Sequence, residues 1–267
     1  MPHRSDLLDA PPPATSAPHA PAPGGPDGLL RPTALLDYEH PSIAGLLARR
    51  AWEGLPAYDR IGAAYAFVRD EVAFGYNAAD DRPASAVLAD GYGQCNTKAT
   101  LLMALLRALG VPCRLHGFTI TKALQRGVVP ELAYRIAPAD ILHSWVEVWH
   151  GGRWVNLEGF ILDGPYLASL QRAFAARGAL CAYGVGTDDL GAPGVEWAGA
   201  DTYVQRTGIN ADLGTFDTPD AFYAAHQQAL SPLKAWLYRR VIRHWMNRRA
   251  EAIRRGRVPS VPGLRPS

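Results

Sequence analysis

A glycine turn running into a leucine-striped helix is the feature that most constrains this chain. From Cys95 to Leu109, the residues Leu101, Leu102, Leu105, Leu106 and Leu109 recur at three- and four-residue spacing and mark one buried stripe. Asp90-Gly91-Tyr92-Gly93 forms the turn before it. Gly110 falls where a glycine cap would sit, and Val111-Pro112 prevents continuation. Residues Cys113 to Ile120 then read as a strand. Strand signals return at His143 to Trp149 and Arg153 to Leu157, joined as a hairpin by Gly151-Gly152. A helix packed on antiparallel strands gives an expected α+β fold.

Other elements surround this centre. Pro41-Ser42 starts a helix that carries Ile43 to Arg50. Tyr58, Ile61, Tyr65, Val68 and Val72 give a second amphipathic helix over Pro56 to Val72. The polar loop Gly75 to Pro83 precedes a short helix over Ala84 to Ala89. Lys122 to Asp140 reads as a loop longer than compact domains usually tolerate without a functional reason, and is expected to shape a substrate cleft. Residues 178–215 are glycine-rich and lack periodicity. Two helices start at Thr218-Pro219 and Ser231-Pro232, each with a capping residue and a proline at the first helical position.

With 267 residues and 48% apolar composition, the chain can bury a sizeable core. Residues 1–28 hold eight prolines and two leucines, and are expected as a disordered tail. The expected division is a catalytic domain over 29–215, a basic helical appendage over 216–257 and a disordered tail over 258–267. Charge divides unevenly: residues 1–230 carry 17 Lys and Arg against 24 acids, and residues 231–267 carry ten against one. Leu233, Leu237, Val241 and Trp245, broadened by Trp236 and Ile242, form an apolar stripe on the last helix. That stripe is expected to pack on the acidic body, with the arginines solvated or paired. Contact with anionic lipid or nucleic acid is the alternative. Three cysteines leave at least one free thiol and suggest a reducing compartment. No apolar run is long enough for a membrane span or a secretory signal, so a cytoplasmic location is expected.

Cys95 sits where the glycine turn becomes a helix. Unsatisfied N–H groups and the positive end of the helix dipole favour a thiolate there, so its pKa is expected below the free value of about 8.5. The same N–H groups could stabilise an oxyanion. A small buried cysteine at a helix end is the competing reading. On the hairpin, His143, Trp145, Glu147 and Trp149 share one face. A two-residue turn sets Trp149 opposite Trp154, Glu147 opposite Asn156 and Trp145 opposite Glu158. His143 and Glu158 then become diagonal neighbours about 7–8 Å apart. Thiol, base and orienting carboxylate together follow the logic of an activated nucleophile. A satisfied core histidine is the plainer alternative.

Gln94 could contribute to an oxyanion site, but a polar surface residue is the preferred reading. Cys181 has no motif and reads as a buried or half-buried thiol. Cys113-x-x-His116, with His143 and His150, lacks the second close pair that structural zinc needs. Gly184-Val185-Gly186 lacks the Lys-Ser/Thr of a phosphate loop. No metal or other cofactor is expected.

The blocks GYGQCNTKATLLMALLRALGVPCR and HSWVEVWHGGRWVNLEG resemble the transglutaminase-like superfamily of cysteine enzymes, within a likeness over roughly residues 30–165. The resemblance implies a papain-like core with its catalytic cysteine at a helix N-terminus on an antiparallel sheet. Cys95 and His143 match the family's cysteine and histidine. Glu158 stands where relatives carry aspartate, and Cys113 where they more often carry alanine, which makes it a packing residue. The resemblance also implies a thiol acyltransferase, or a cysteine peptidase or amidase. It would act on peptide or glutamine carboxamide bonds of a protein, peptide or small amide through an acyl-enzyme, by hydrolysis or transfer. An inactive scaffold or binding module is the alternative, and retention of Cys95, His143 and an acid argues against it. Some relatives use calcium, but no acidic loop here justifies it.

Overall fold

The computed structural model describes residues 26–228 and 231–266. The proline-rich tail expected over 1–28 lies, up to residue 25, outside them. Nine helices are described: α1 (Pro41–Arg50), α2 (Ala57–Ala66), α3 (Ala84–Asp90), α4 (Cys95–Ala108), α5 (Glu131–Ile136), α6 (Gly164–Ala173), α7 (Pro219–Ala225), α8 (Pro232–Leu237) and α9 (Arg243–Arg254). The strands are β1 (Ala73–Phe74), β2 (Tyr92–Gly93), β3 (Cys113–Thr121), β4 (Asp140–His150), β5 (Arg153–Leu157), β6 (Leu180–Ala182), β7 (Val185–Thr187) and β8 (Ile209–Phe216). Five-residue π-helical turns follow α2, at Phe67–Glu71, and join α8 to α9, at Tyr238–Ile242. Among the described residues no helix is long and apolar enough to cross a membrane.

Four strands form an antiparallel sheet in the order β5-β4-β3-β8. The fold is α+β, with α4 packed against β4 and β3. A stripe was expected on α4, but every residue from Cys95 to Arg107 is buried. The cause is packing on more than one side, because α2 and α3 also lie against the helix. Its polar side chains reach backbone carbonyls: Lys98 Nζ donates to Ile161 O at 2.9 Å, and Arg107 Nη1 donates to Arg31 O at 2.7 Å.

The hairpin register follows the two-residue turn, with Trp149 opposite Trp154 and Glu147 opposite Asn156. The ladder stops at Val146 opposite Leu157, so the expected Trp145–Glu158 pairing does not form. Strand β8 gave no sequence signal because two register shifts against β3 break its alternation. Gly117 sits under α7, where an added Cβ would come within 2.4 Å of the Phe222 ring.

The C-terminal helices turn a different face inward from the one expected. Leu233, Val241 and Trp245 are exposed, while Met246, Ala250 and Ile253 are buried in the same core as Leu102. For the residues after it, the π turn at Tyr238–Ile242 explains the shift: one extra residue rotates everything that follows by about 100°, while Leu233 precedes it. The inward positions thereby move from Val241 and Trp245 to Ile242 and Met246. The segment expected as a tail over 258–267 also packs, since Val261 is buried and Tyr183 Oη donates to Pro259 O at 2.6 Å.

One face of β3 and β4 carries a charged cluster that the sequence reading missed. His116 contacts Glu147 Oε1 through Nδ1 at 2.7 Å and Asp212 Oδ1 through Nε2 at 2.9 Å, while Arg114 Nε donates to Glu147 at 2.6 Å. Burial opposes the imidazolium, but the hydrogen bonds and charges of Glu147, then of Asp212, hold the His116 pKa above its ordinary value. Its contribution to stability is complete below the unfolded value of about 6.5 and fades as pH rises through the raised folded value. The melting-temperature gap between wild type and His116→Gln should therefore be wider at about pH 6 than at about pH 9. Equal gaps would contradict the ion-pair account.

Candidate active site

The turn before α4 is built around small residues. Gly91 takes φ +70°, and an added Cβ at Gly93 would meet Thr97 Oγ1 at 2.7 Å. Gln94 is buried and not a surface residue. Its N–H donates to Thr97 Oγ1, its Oε1 accepts from Asn77 N at 2.8 Å, and its Nε2 donates to Asp80 Oδ1 at 2.8 Å. Those bonds commit the Gln94 amide to fixing the turn. Burial raises the Asp80 carboxyl above its usual range, and the hydrogen bonds from Gln94 and Asn96 oppose it.

Cys95 follows at the start of α4, 9% exposed at the wall of a cleft. The next residue supplies a stitch that the sequence reading missed. Asn96 Nδ2 donates to Leu142 O at 3.1 Å, and Asn96 Oδ1 accepts from Ser144 Oγ at 2.9 Å. Leu142 and Ser144 flank His143, so these two bonds fix the helix start relative to the histidine. The available signal was adjacency: Asn96 follows Cys95 and Ser144 follows His143.

His143 and Glu158 are both fully buried, and His143 Nε2 donates to Glu158 Oε1 at 2.8 Å. Oε2 of Glu158 accepts from Val204 N and Gln205 N, each at 2.9 Å. Glu158 reaches this position after leaving the ladder, where its own N–H donates to Thr202 O at 3.1 Å. The other imidazole nitrogen, Nδ1, is buried without a hydrogen-bond partner among the described residues. Cys95 lies close enough for its charge to act on the ring. Burial disfavours the imidazolium, yet the nearby Cys95 sulfur, followed by the hydrogen bond and charge of Glu158, pushes the His143 pKa up to about 10. The sequence candidates Cys95, His143 and Glu158 thus come together.

The cleft holds about 470 Å³. Ile120, Leu124, Val129 and Ile136 line one side, and Leu237, Ile242 and Met246 line another. The loop expected over 122–140 is on the cleft, although it contains the turn Lys122–Gln125 and α5. Cys113 is fully buried with Sγ 3.6 Å from Met103 O, and burial pushes its thiol up to about 11. Cys181 is exposed, contrary to the reading of a buried or half-buried thiol. Cys113 and His116, three apart on β3, face opposite sides of the sheet. Among the described residues no group of three or more His, Cys, Asp or Glu could hold a metal ion.

Residues 47–159 match the family model of the transglutaminase-like superfamily. That stretch of the chain is similar to a transglutaminase-like core. Among solved structures, a Cytophaga hutchinsonii protein described as a candidate cysteine protease is similar at 15% identity and a TM-score of 0.42. The likeness covers 74% of this chain and 48% of that one, so the chain spans about half the length of that relative. No curated protein matches. The transglutaminase-like stretch contains Cys95, His143 and Glu158. The amides of Val204 and Gln205 and the wall formed by α8 and α9 come from beyond it.

The three thiols should therefore differ in reactivity. At about pH 7, iodoacetamide should modify Cys95 at least about tenfold faster than exposed Cys181, with Cys113 unreactive until unfolding. His143→Ala should remove that advantage. Peptide mapping after timed labelling reads all three sites, and equal rates at Cys95 and Cys181 would refute activation of Cys95.

Proposed function

We propose that the protein is a cysteine enzyme that opens amide-type acyl bonds through an acyl-enzyme on Cys95, with His143 as proton carrier and Glu158 as its orienting acid. The observation that carries this reading is the sealed His143–Glu158 hydrogen bond, with the remaining imidazole nitrogen left to Cys95 beside an open cleft.

In the proposed reaction, the Cys95 sulfur attacks the acyl carbon as a thiolate while His143 carries the proton. Negative charge moves to the carbonyl oxygen. The first N–H groups of α4 have no intrahelical acceptor and are available as donors to that developing charge. The C–N bond then breaks as His143 gives a proton to the departing amine, leaving a thioester. Water or an amine attacks the thioester, passes its proton to the imidazole and releases the thiolate. Glu158 serves to orient the ring. It accepts from Nε2–H, so Nδ1 stays the working nitrogen. The apolar cleft walls suit a substrate that places an apolar group beside the scissile carbonyl.

Glu158→Gln tests this assignment because it keeps the shape and removes the charge. Turnover should fall by about two to four orders of magnitude with little change in melting temperature. Glu158→Asp should lie between wild type and Glu158→Gln. It keeps the charge, but a side chain shorter by one methylene cannot reach both His143 and the amides of Val204 and Gln205. Ammonia or amine release from a glutamine-containing peptide pool gives the readout. Wild-type turnover in Glu158→Gln would remove Glu158 from the mechanism.

A further inference from the structure

The helical run α8–α9 closes the cleft with one side and leaves the other uncovered. On the uncovered side Leu233 is 74% exposed, Trp236 53%, Val241 47% and Trp245 52%. Basic groups share this surface: Arg240, Val241, Trp245 and Arg248 line one shallow groove. The only acid in residues 231–267, Glu251, is engaged by Arg254 and Arg255. Arg239, Arg240 and Arg248 are exposed with no acidic partner among the described residues. Across the cleft mouth, α5 presents Leu132 at 78% exposure and Ile136 at 50%, and Lys234 Nζ donates to Ile136 O, so α5 and α8 meet there. Exposed apolar side chains of α5 and of α8–α9 are thus carried on helices that meet, with unpaired arginines beside those of α8–α9.

We propose that this surface docks on an anionic lipid membrane face. The combination of side chains selects that occupant. Tryptophan and leucine on a basic helix gain by leaving water for the headgroup layer, where arginines meet lipid phosphates. A nucleic-acid backbone would engage the arginines but leave Leu132, Leu233 and Val241 in water. The net charge of the segment, ten basic groups against one acid, complements an anionic surface and opposes a second copy of the same face. Docking stands on the surface alone and does not depend on the reaction assigned to Cys95.

Co-sedimentation of the full chain with vesicles tests it. Phosphatidylcholine vesicles with about a third phosphatidylglycerol should retain at least about tenfold more protein than phosphatidylcholine alone, and raising salt to about 1 M should release most of it. Arg240→Glu with Arg248→Glu should lower binding at least about tenfold, and Trp236→Ser with Trp245→Ser should also lower it. Unchanged melting temperatures would show that both variants remain folded. Equal retention on the two vesicle types, or binding that neither pair of substitutions changes, would overturn the proposal. So would a duplex DNA or RNA probe bound as tightly and lost in the same variants. A wild-type dimer that the tryptophan pair dissociates would assign the face to a second copy instead.

Discussion

A carboxylate sealed from water is tolerable only where hydrogen bonds replace its hydration. Glu158 meets that demand with His143 on one oxygen and two backbone amides on the other. Satisfying it draws three parts of the chain together: the end of the β4–β5 hairpin, the segment around Thr202 to Gln205, and the histidine near the start of β4. The same bond orients the imidazole. A structural requirement and a chemical one thus coincide at a single side chain.

The thiol is positioned by separate means. Gly93 permits the tight approach of Thr97, Gln94 locks the turn to Asn77 and Asp80, and Asn96 ties the first turn of α4 to both neighbours of His143. Two residues further on, Lys98 anchors the helix start to Ile161, just after Glu158. Burial draws its pKa down to about 7, with Asp163 and Asp70 opposing. Cysteine, histidine and glutamate are therefore referenced to one another through short polar links, and the apolar cleft is left open beside them.

The helix, the hairpin register from Trp149–Trp154 to Glu147–Asn156, and the thiol and imidazole candidates were legible because each rests on local chemistry: a glycine cap, a two-residue turn, alternation along a strand. Glu158 instead reaches His143 from beyond the ladder, not by the Trp145–Glu158 pairing expected. Features set by distant contacts were not legible. Gln94 carries no local mark of burial, since its partners Asn77 and Asp80 lie on a different loop. Strand β8 hides behind its bulges. The C-terminal stripe was misread for a specific reason, because spacing counted in fours assumes an unbroken helix and the π turn at Tyr238–Ile242 breaks the count. The helix consequently lines the cleft through Ile242 and Met246 and exposes Val241 and Trp245.

The central claim is that Cys95 is an acyl-accepting nucleophile made competent by His143. Brief exposure of the folded protein to p-nitrophenyl acetate, followed by intact mass measurement and peptide mapping, tests it directly. The account predicts a single acetyl group on Cys95 in the wild type and its loss in His143→Ala. Acetylation spread evenly between Cys95 and Cys181, or undiminished in His143→Ala, would contradict it.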